Sequence, residues 1–179
     1  FGVRSDTATR RVPDALCLPA EVRAAVTRWR LAYRDVASST NRLTLIAALI
    51  PPGAVTVHTL FCLKTILPER QQAYLCAMFN SFVANYLARL WVTTHVGASI
   101  IARLPVPMPG VDTYGFTRLA DLAVEIGRDH RNSEDLYVEA QAAAARLYGL
   151  GQEEYAHILE TFPLVDERVR QRCLSALAC

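Results

Sequence analysis

The chain has 179 residues, 52% of them apolar and 20% charged, a balance that belongs to a folded protein rather than a disordered one. Its length suits one domain, or one domain with a helical appendage. No apolar run approaches the ~20 residues that cross a bilayer and no leader pattern stands at the start, so a cytoplasmic protein without a membrane segment is expected.

The net charge of +2 hides an asymmetry. Residues 1–111 hold 12 basic against 5 acidic side chains, +7, whereas residues 112–179 hold 7 against 12, −5. A basic first part and an acidic second part suggest that the first faces a polyanion. The five cysteines, Cys17, Cys62, Cys76, Cys173 and Cys179, form no C-x-x-C pair, and the four histidines form no H-x-x-x-H pair. Reduced thiols without a metal or a disulfide framework are expected.

In chain order, residues 1–19 show no period and read as an incoming loop. Residues 20–27 suit about two helical turns after Pro19. In residues 30–37, Leu31 and Tyr33 alternate with Arg30 and Arg34, the period of a strand with one buried face and one basic, open face. Residues 43–50 are apolar almost throughout, as in a central strand covered on both sides. Between these strands stand Ser38, Ser39, Thr40, Asn41 and Arg42, five hydrogen-bonding side chains in a row. Such a set either satisfies its own backbone as a turn or faces a ligand. Pro51-Pro52-Gly53 marks a turn, and residues 54–63 read as a third strand.

Residues 69–92 give the longest helical pattern, entered through Pro68. Ser81, Asn85 and Arg89 recur every four residues and form a polar stripe, with Asn80 beside it. Either the stripe is the solvated side of a core helix or it is a ridge beside a ligand, which Arg89 and His95 would help to form. The alternating prolines of residues 99–109 predict an extended path. Four helices follow, over residues 114–130, 133–148, 152–161 and 166–177, with Ser133 as a cap and Gly149 and Gly151 around a break. The expected fold is α+β: a small antiparallel or mixed sheet packed on a long helix, then a helical C-terminal part. The basic part, 1–111, and the acidic part, 112–179, are expected to form one unit.

Catalytic signatures are missing. There is no G-x-x-x-x-G-K-[ST], no G-x-G-x-x-G and no G-x-S-x-G. The only lysine, Lys64, lacks the clustered acids that would hold a nuclease metal. The only Pro-Pro pair follows Ile50, not the Asn or Asp of an adenine methyltransferase motif.

The blocks WRLAYRDVASSTNRLTLIAALIPPG, CAMFNSFVANYLARLWV, ARLPVPMP and AARLYGLGQEEYAHILETFP, in that order, resemble the C-terminal part of type IIG-like and phage-defence adenine-specific DNA methyltransferases. The resemblance spans residues 29–163. The family block R-D-x-A-x-x-T-N-x-x-T falls on Arg34, Asp35, Ala37, Thr40, Asn41 and Thr44; where the family often continues Glu-Arg-Thr, this chain has Arg42-Leu43-Thr44. The family's helix Asn-Ser falls on Asn80 and Ser81, and its helix-end arginine on Arg89.

The resemblance implies a target recognition domain from a longer enzyme, since the chain opens on Phe1. It would read double-stranded DNA beside an upstream methyltransferase domain, with S-adenosylmethionine bound in that domain and no cofactor in this chain. Arg30, Arg34, Arg42 and Arg89 are then the expected phosphate contacts. Thr40, Asn41, Asn80 and Ser81 are expected base or positioning contacts. A protein-interaction or scaffold domain is the alternative.

Overall fold

Strand β2 (Arg30–Arg34) is hydrogen-bonded on both sides and buried on both faces. It runs between β3 (Ala47–Ile50) and β5 (Leu60–Cys62) in an antiparallel sheet of order β3-β2-β5. The register sets Leu31 opposite Leu49, Ala32 opposite Ala48, and Tyr33 opposite both Ala47 and Phe61. The computed structural model describes residues 9–11, 26–129 and 132–178, so the helix expected over residues 20–27 lies mostly outside them. Within the span expected to be an incoming loop, β1 (Thr9–Arg11) forms a two-stranded antiparallel ribbon with β4 (Ala54–Thr56).

Two strand expectations are corrected. The apolar run of residues 43–50 yields an edge strand, β3, and the centre is β2. Such a run reports burial, and β3 is buried because helices cover its face and its outer edge. Residues 54–63 form two short strands instead of one, because β4 pairs with β1 and β5 with β2, and Leu60 N–H donates to Val57 O (3.0 Å) in the turn between them. The Pro-Pro-Gly turn is present, with Gly53 at φ 79°, the left-handed region that glycine enters without a steric penalty.

The alternation in β2 sorts its side chains as the sequence implies, but neither face is open. Leu31 and Tyr33 lie in a core cluster with Ala73, Tyr74, Ala77 and Met78 of α1 (Glu69–Phe79). Ala32, on the arginine-bearing face, is buried in a smaller cluster with Ala48, Ile50, Ala54 and Leu60. Arg30 and Arg34 are half-buried beside it.

The long helix of residues 69–92 is two helices. α1 stops at Phe79, and α2 (Phe82–Arg89) starts after Ser81, whose backbone is extended (φ −72°, ψ 151°) and whose hydroxyl accepts from Ala84 N–H (3.1 Å). Breaking a buried helix frees backbone groups that water cannot reach. Gln141 takes two of them: its Oε1 accepts from Phe82 N–H (2.8 Å) and its Nε2 donates to Asn80 O (3.0 Å). The segment expected to be extended begins with a helix, α3 (Ala98–Arg103). Only from Leu104, which precedes Pro105 and is pushed to ψ 121°, does the chain extend.

Four helices complete the chain: α4 (Tyr114–Arg128), α5 (Glu134–Leu147), α6 (Gln152–Glu160) and α7 (Glu167–Ala178). Each lies within about two residues of its sequence expectation. Ser133 occupies the cap position of α5 without a side-chain cap bond. Gly149, at φ 73°, ends α5 as Leu150 N–H donates back to Ala145 O (3.2 Å). The first core crosses the compositional boundary at residue 111, joining Tyr74 to Phe116 as stacked rings 4.6 Å apart. A second core gathers Phe82 and Val83 of α2 with Tyr155, Phe162, Val169 and Cys173. No described helix is long and apolar enough to cross a membrane.

Asn80 does more than end α1. It is fully buried, its Oδ1 accepts from Ala47 N–H (3.1 Å), and its Nδ2 donates to Ala47 O (2.9 Å) and Cys76 O (2.8 Å). Ala47 points these groups away from β2, so Asn80 pairs with the β3 edge as a neighbouring strand would. Asn80→Ala strands both groups in the core. At roughly 1–3 kcal/mol for each buried group, a loss of about 3 kcal/mol is expected from urea unfolding.

Burial also pushes the Cys76 and Cys173 thiols up from 9.0 to about 12, and the Tyr74 hydroxyl from 10.0 to about 12. These groups fold in their neutral forms. Their contribution is complete below the unfolded values and is lost as pH climbs from there toward the folded ones. The urea midpoint is therefore expected to fall between about pH 8.5 and about pH 11, and iodoacetamide at about pH 8 should spare both thiols until the chain is unfolded.

Candidate nucleic-acid interface

The polar loop of residues 38–44 leaves β2 and returns to β3, and its conformation is set by bonds to its own backbone. Asn41 Oδ1 accepts from Ser38 N–H (2.8 Å), while Asn41 N–H donates to Ser38 O (3.1 Å). Thr44, fully buried, donates its hydroxyl to Ser38 O (2.9 Å). Ser38 Oγ accepts from Thr40 N–H (3.2 Å) and lies 3.0 Å from Thr40 Oγ1. The loop is thus a self-satisfied turn, one of the two readings its composition allowed.

Two arginines hold this turn from outside. Arg34 donates to Leu43 O (2.9 Å) and reaches Asn41 Oδ1 (3.5 Å). Arg89, at the end of α2, donates from Nη2 to Asn41 O (2.5 Å) and Arg42 O (3.2 Å), from Nε to Thr44 Oγ1 (3.3 Å), and from Nη1 to Thr161 O (2.6 Å). Its guanidinium lies 3.9 Å over the Phe162 ring. Burial lowers the pKa of both Arg34 and Arg89 from the ordinary arginine value. Only the planar fork of arginine reaches acceptors in so many directions at once.

The expected contact residues therefore separate into two groups. Asn80, Ser81 and Asn85 are closed to any ligand in this fold. Asn80 pairs with Ala47, Ser81 donates to Met78 O (2.7 Å), and Asn85 accepts from Leu45 N–H (2.8 Å) while donating to Ser81 O (2.9 Å). The polar stripe is neither a solvated side nor a ligand ridge, because Ser81 bonds within its own helical segment, Asn80 and Asn85 bond the backbone of Ala47 and Leu45, and Arg89 bonds the loop. Arg30 donates to Ala54 O, and Arg89 is committed to the loop. Left facing outward are Thr40 and Arg42, both exposed, with Arg34 and Asn41 half-buried beneath them.

A neighbouring feature escaped the sequence reading. The segment after α2 crosses back over the end of β2, where Val36 bridges His95, Ala37 N–H donates to Thr94 O (3.1 Å) and Val96 N–H donates to Asp35 O (2.7 Å). There His95 Nδ1 lies 2.9 Å from Asp35 Oδ2. These residues stand 60 positions apart, so no local pattern could reveal the pair. Of the two other buried amides, Gln141 did carry a signal, as a polar residue set among alanines, whereas Gln72 is hidden in the polar run Glu69-Arg70-Gln71-Gln72. Among the described residues, no three His, Cys, Asp or Glu side chains gather where they could share a metal ion.

No family model, curated protein or solved structure matches this chain.

If Arg89 is the tie, then Arg89→Lys, which keeps the charge and loses the fork, should open the loop. Hydrogen exchange at Asn41 and Leu45 is expected to accelerate by about tenfold or more, with about 2 kcal/mol lost from global stability. Unchanged exchange would show that Asn41 and Arg34 hold the turn unaided.

Proposed function

We propose that this chain is a non-catalytic DNA-recognition module of an adenine-specific DNA methyltransferase from a restriction-modification or phage-defence system. It would act beside a methyltransferase domain that binds S-adenosylmethionine. The observation that carries the reading is how the basic side chains are paired. In the acidic helices, Arg118 meets Glu139 (2.6 Å) and Glu125 (3.5 Å), Arg168 meets Glu134 (3.4 Å), and Arg172 meets Glu134 and Asp135. In the first part, Arg70 meets Asp121 of an acidic helix (3.1 Å), while Arg28, Arg30, Arg34, Arg42, Lys64, Arg89 and Arg103 have no carboxylate within 4.0 Å among the described residues. In the acidic helices the same holds for Arg128, Arg146 and Arg170, so the first part has the larger unpaired surplus. Most of the basic surplus of the first part is left without an internal counter-charge, which favours a positive field around the exposed Arg42.

The pinned loop supplies the second half of the reading. Thr40 and Arg42 project from a turn whose backbone is fixed, so a contact to DNA orders few new bonds. Arg34 and Arg89 contribute by holding that turn, and their positive charge remains beside it. A protein partner is favoured at a different place: Val36 (53%), Leu90 (60%) and Trp91 (42%) are exposed apolar side chains around the end of α2, suited to the methyltransferase domain.

The test is duplex binding by the full chain, followed by fluorescence anisotropy up to about 100 µM protein at about 50 mM and about 200 mM salt. Binding that weakens steeply with salt is expected. Arg42→Ala should lower affinity several-fold and reduce the salt slope by about one phosphate contact, with an unchanged melting temperature. No affinity for any duplex at low salt, or an affinity indifferent to salt, would sink the reading.

A further inference from the structure

The Asp35–His95 pair lies outside the loop and its ties, and nothing in the fold described so far depends on its side chains. The backbone bridge between Val36 and His95 already fixes the two segments. The His95 side chain is 60% exposed and that of Asp35 26%. A carboxylate can only accept, so the 2.9 Å contact places the hydrogen on His95 Nδ1. With the ring neutral, a hydrogen on Nδ1 makes Nε2 the acceptor, and among the described residues no hydrogen bond reaches Nε2. The ring is held by a partner on one side, turned to solvent on the other, and set two residues across a bridge from Ser38, where the exposed loop begins.

We infer that His95 is a base-reading residue, with Nε2 accepting a hydrogen bond from an exocyclic amino group of the DNA, adenine N6 or cytosine N4 in the major groove. This rests on the reading of the chain as a DNA-recognition module. Two properties favour a base edge over a phosphate. A bare acceptor is complementary to an amino donor and repels a phosphate oxygen. The neighbouring Asp35 carboxylate repels phosphate as well. Asp35 is the positioning residue: it fixes which ring nitrogen carries the hydrogen and thereby which bases fit.

The experiment is selection of the full chain from a randomised duplex library, sequenced for the wild type and for His95→Ala, His95→Phe and Asp35→Asn. For the wild type, enriched sites should hold an adenine or cytosine at one position. His95→Ala is expected to lose that preference roughly tenfold while preferences at other positions persist. His95→Phe keeps a ring of similar size without either nitrogen and should behave alike, which covers the case in which the alanine variant folds poorly. Asp35→Asn no longer dictates the tautomer and should blunt the same position. An unchanged profile in folded His95 variants, or a uniform loss of affinity with the profile intact, overturns the inference while leaving DNA recognition standing. A wild type that enriches nothing and binds no duplex removes both.

Discussion

Side-chain amides bonded to backbone are the constraint on which this fold rests. The sheet is small, with strands of five, four and three residues, and short strands leave buried N–H and C=O groups without partners at their ends and edges. Past the end of β5, Leu63 N–H still donates to Leu31 O (2.9 Å), but Leu31 N–H has no strand to meet and donates to Gln72 Oε1 (2.8 Å). Asn80 meets Ala47, Asn85 meets Leu45, and Gln141 meets the two ends of the helix break. Four amides thereby replace a further strand and an unbroken helix. Each is buried, so each unsatisfied substitute would cost far more than a surface hydrogen bond is worth.

This arrangement explains what was legible in the sequence and what was not. Helices α4 to α7 were legible because their signals are local: a period of 3.6, Gly149 at a left-handed stop, acids in first turns. Leu31 and Tyr33 announced a strand by alternation alone. The break at Asn80 and Ser81 was not legible, because residues 69–92 keep a helical pattern throughout and Gln141, which makes the break affordable, lies about sixty positions downstream. The centre of the sheet was misjudged for a related reason. Leu45, Ala47 and Ile50 are as buried as a central strand, yet an amide covers the outer edge of β3 where a strand was assumed.

The arginines show what residue type alone leaves undecided. Arg34, Arg42 and Arg89 look alike as phosphate ligands in a basic sequence. In the fold, Arg89 spends its donors on Asn41 O, Arg42 O, Thr44 Oγ1 and Thr161 O, and Arg34 spends one on Leu43 O, whereas the Arg42 side chain is exposed. A guanidinium that orders a loop cannot release it to grip a ligand without losing the loop's conformation. It still adds to the local potential, because its charge is not cancelled by a neighbouring acid. Shape and field thus come from the same side chains, and contact is left to others.

The ties on the loop fall mostly on main-chain carbonyls: those of Ser38, Asn41, Arg42 and Leu43. A carbonyl is present whatever side chain its residue bears. Positions 39, 40 and 42 can therefore change identity without disturbing the frame that presents them, provided that Asn41, Thr44, Arg34 and Arg89 stay. Such a turn is a socket with interchangeable pins: single substitutions can change the surface it offers while the frame beneath keeps its bonds.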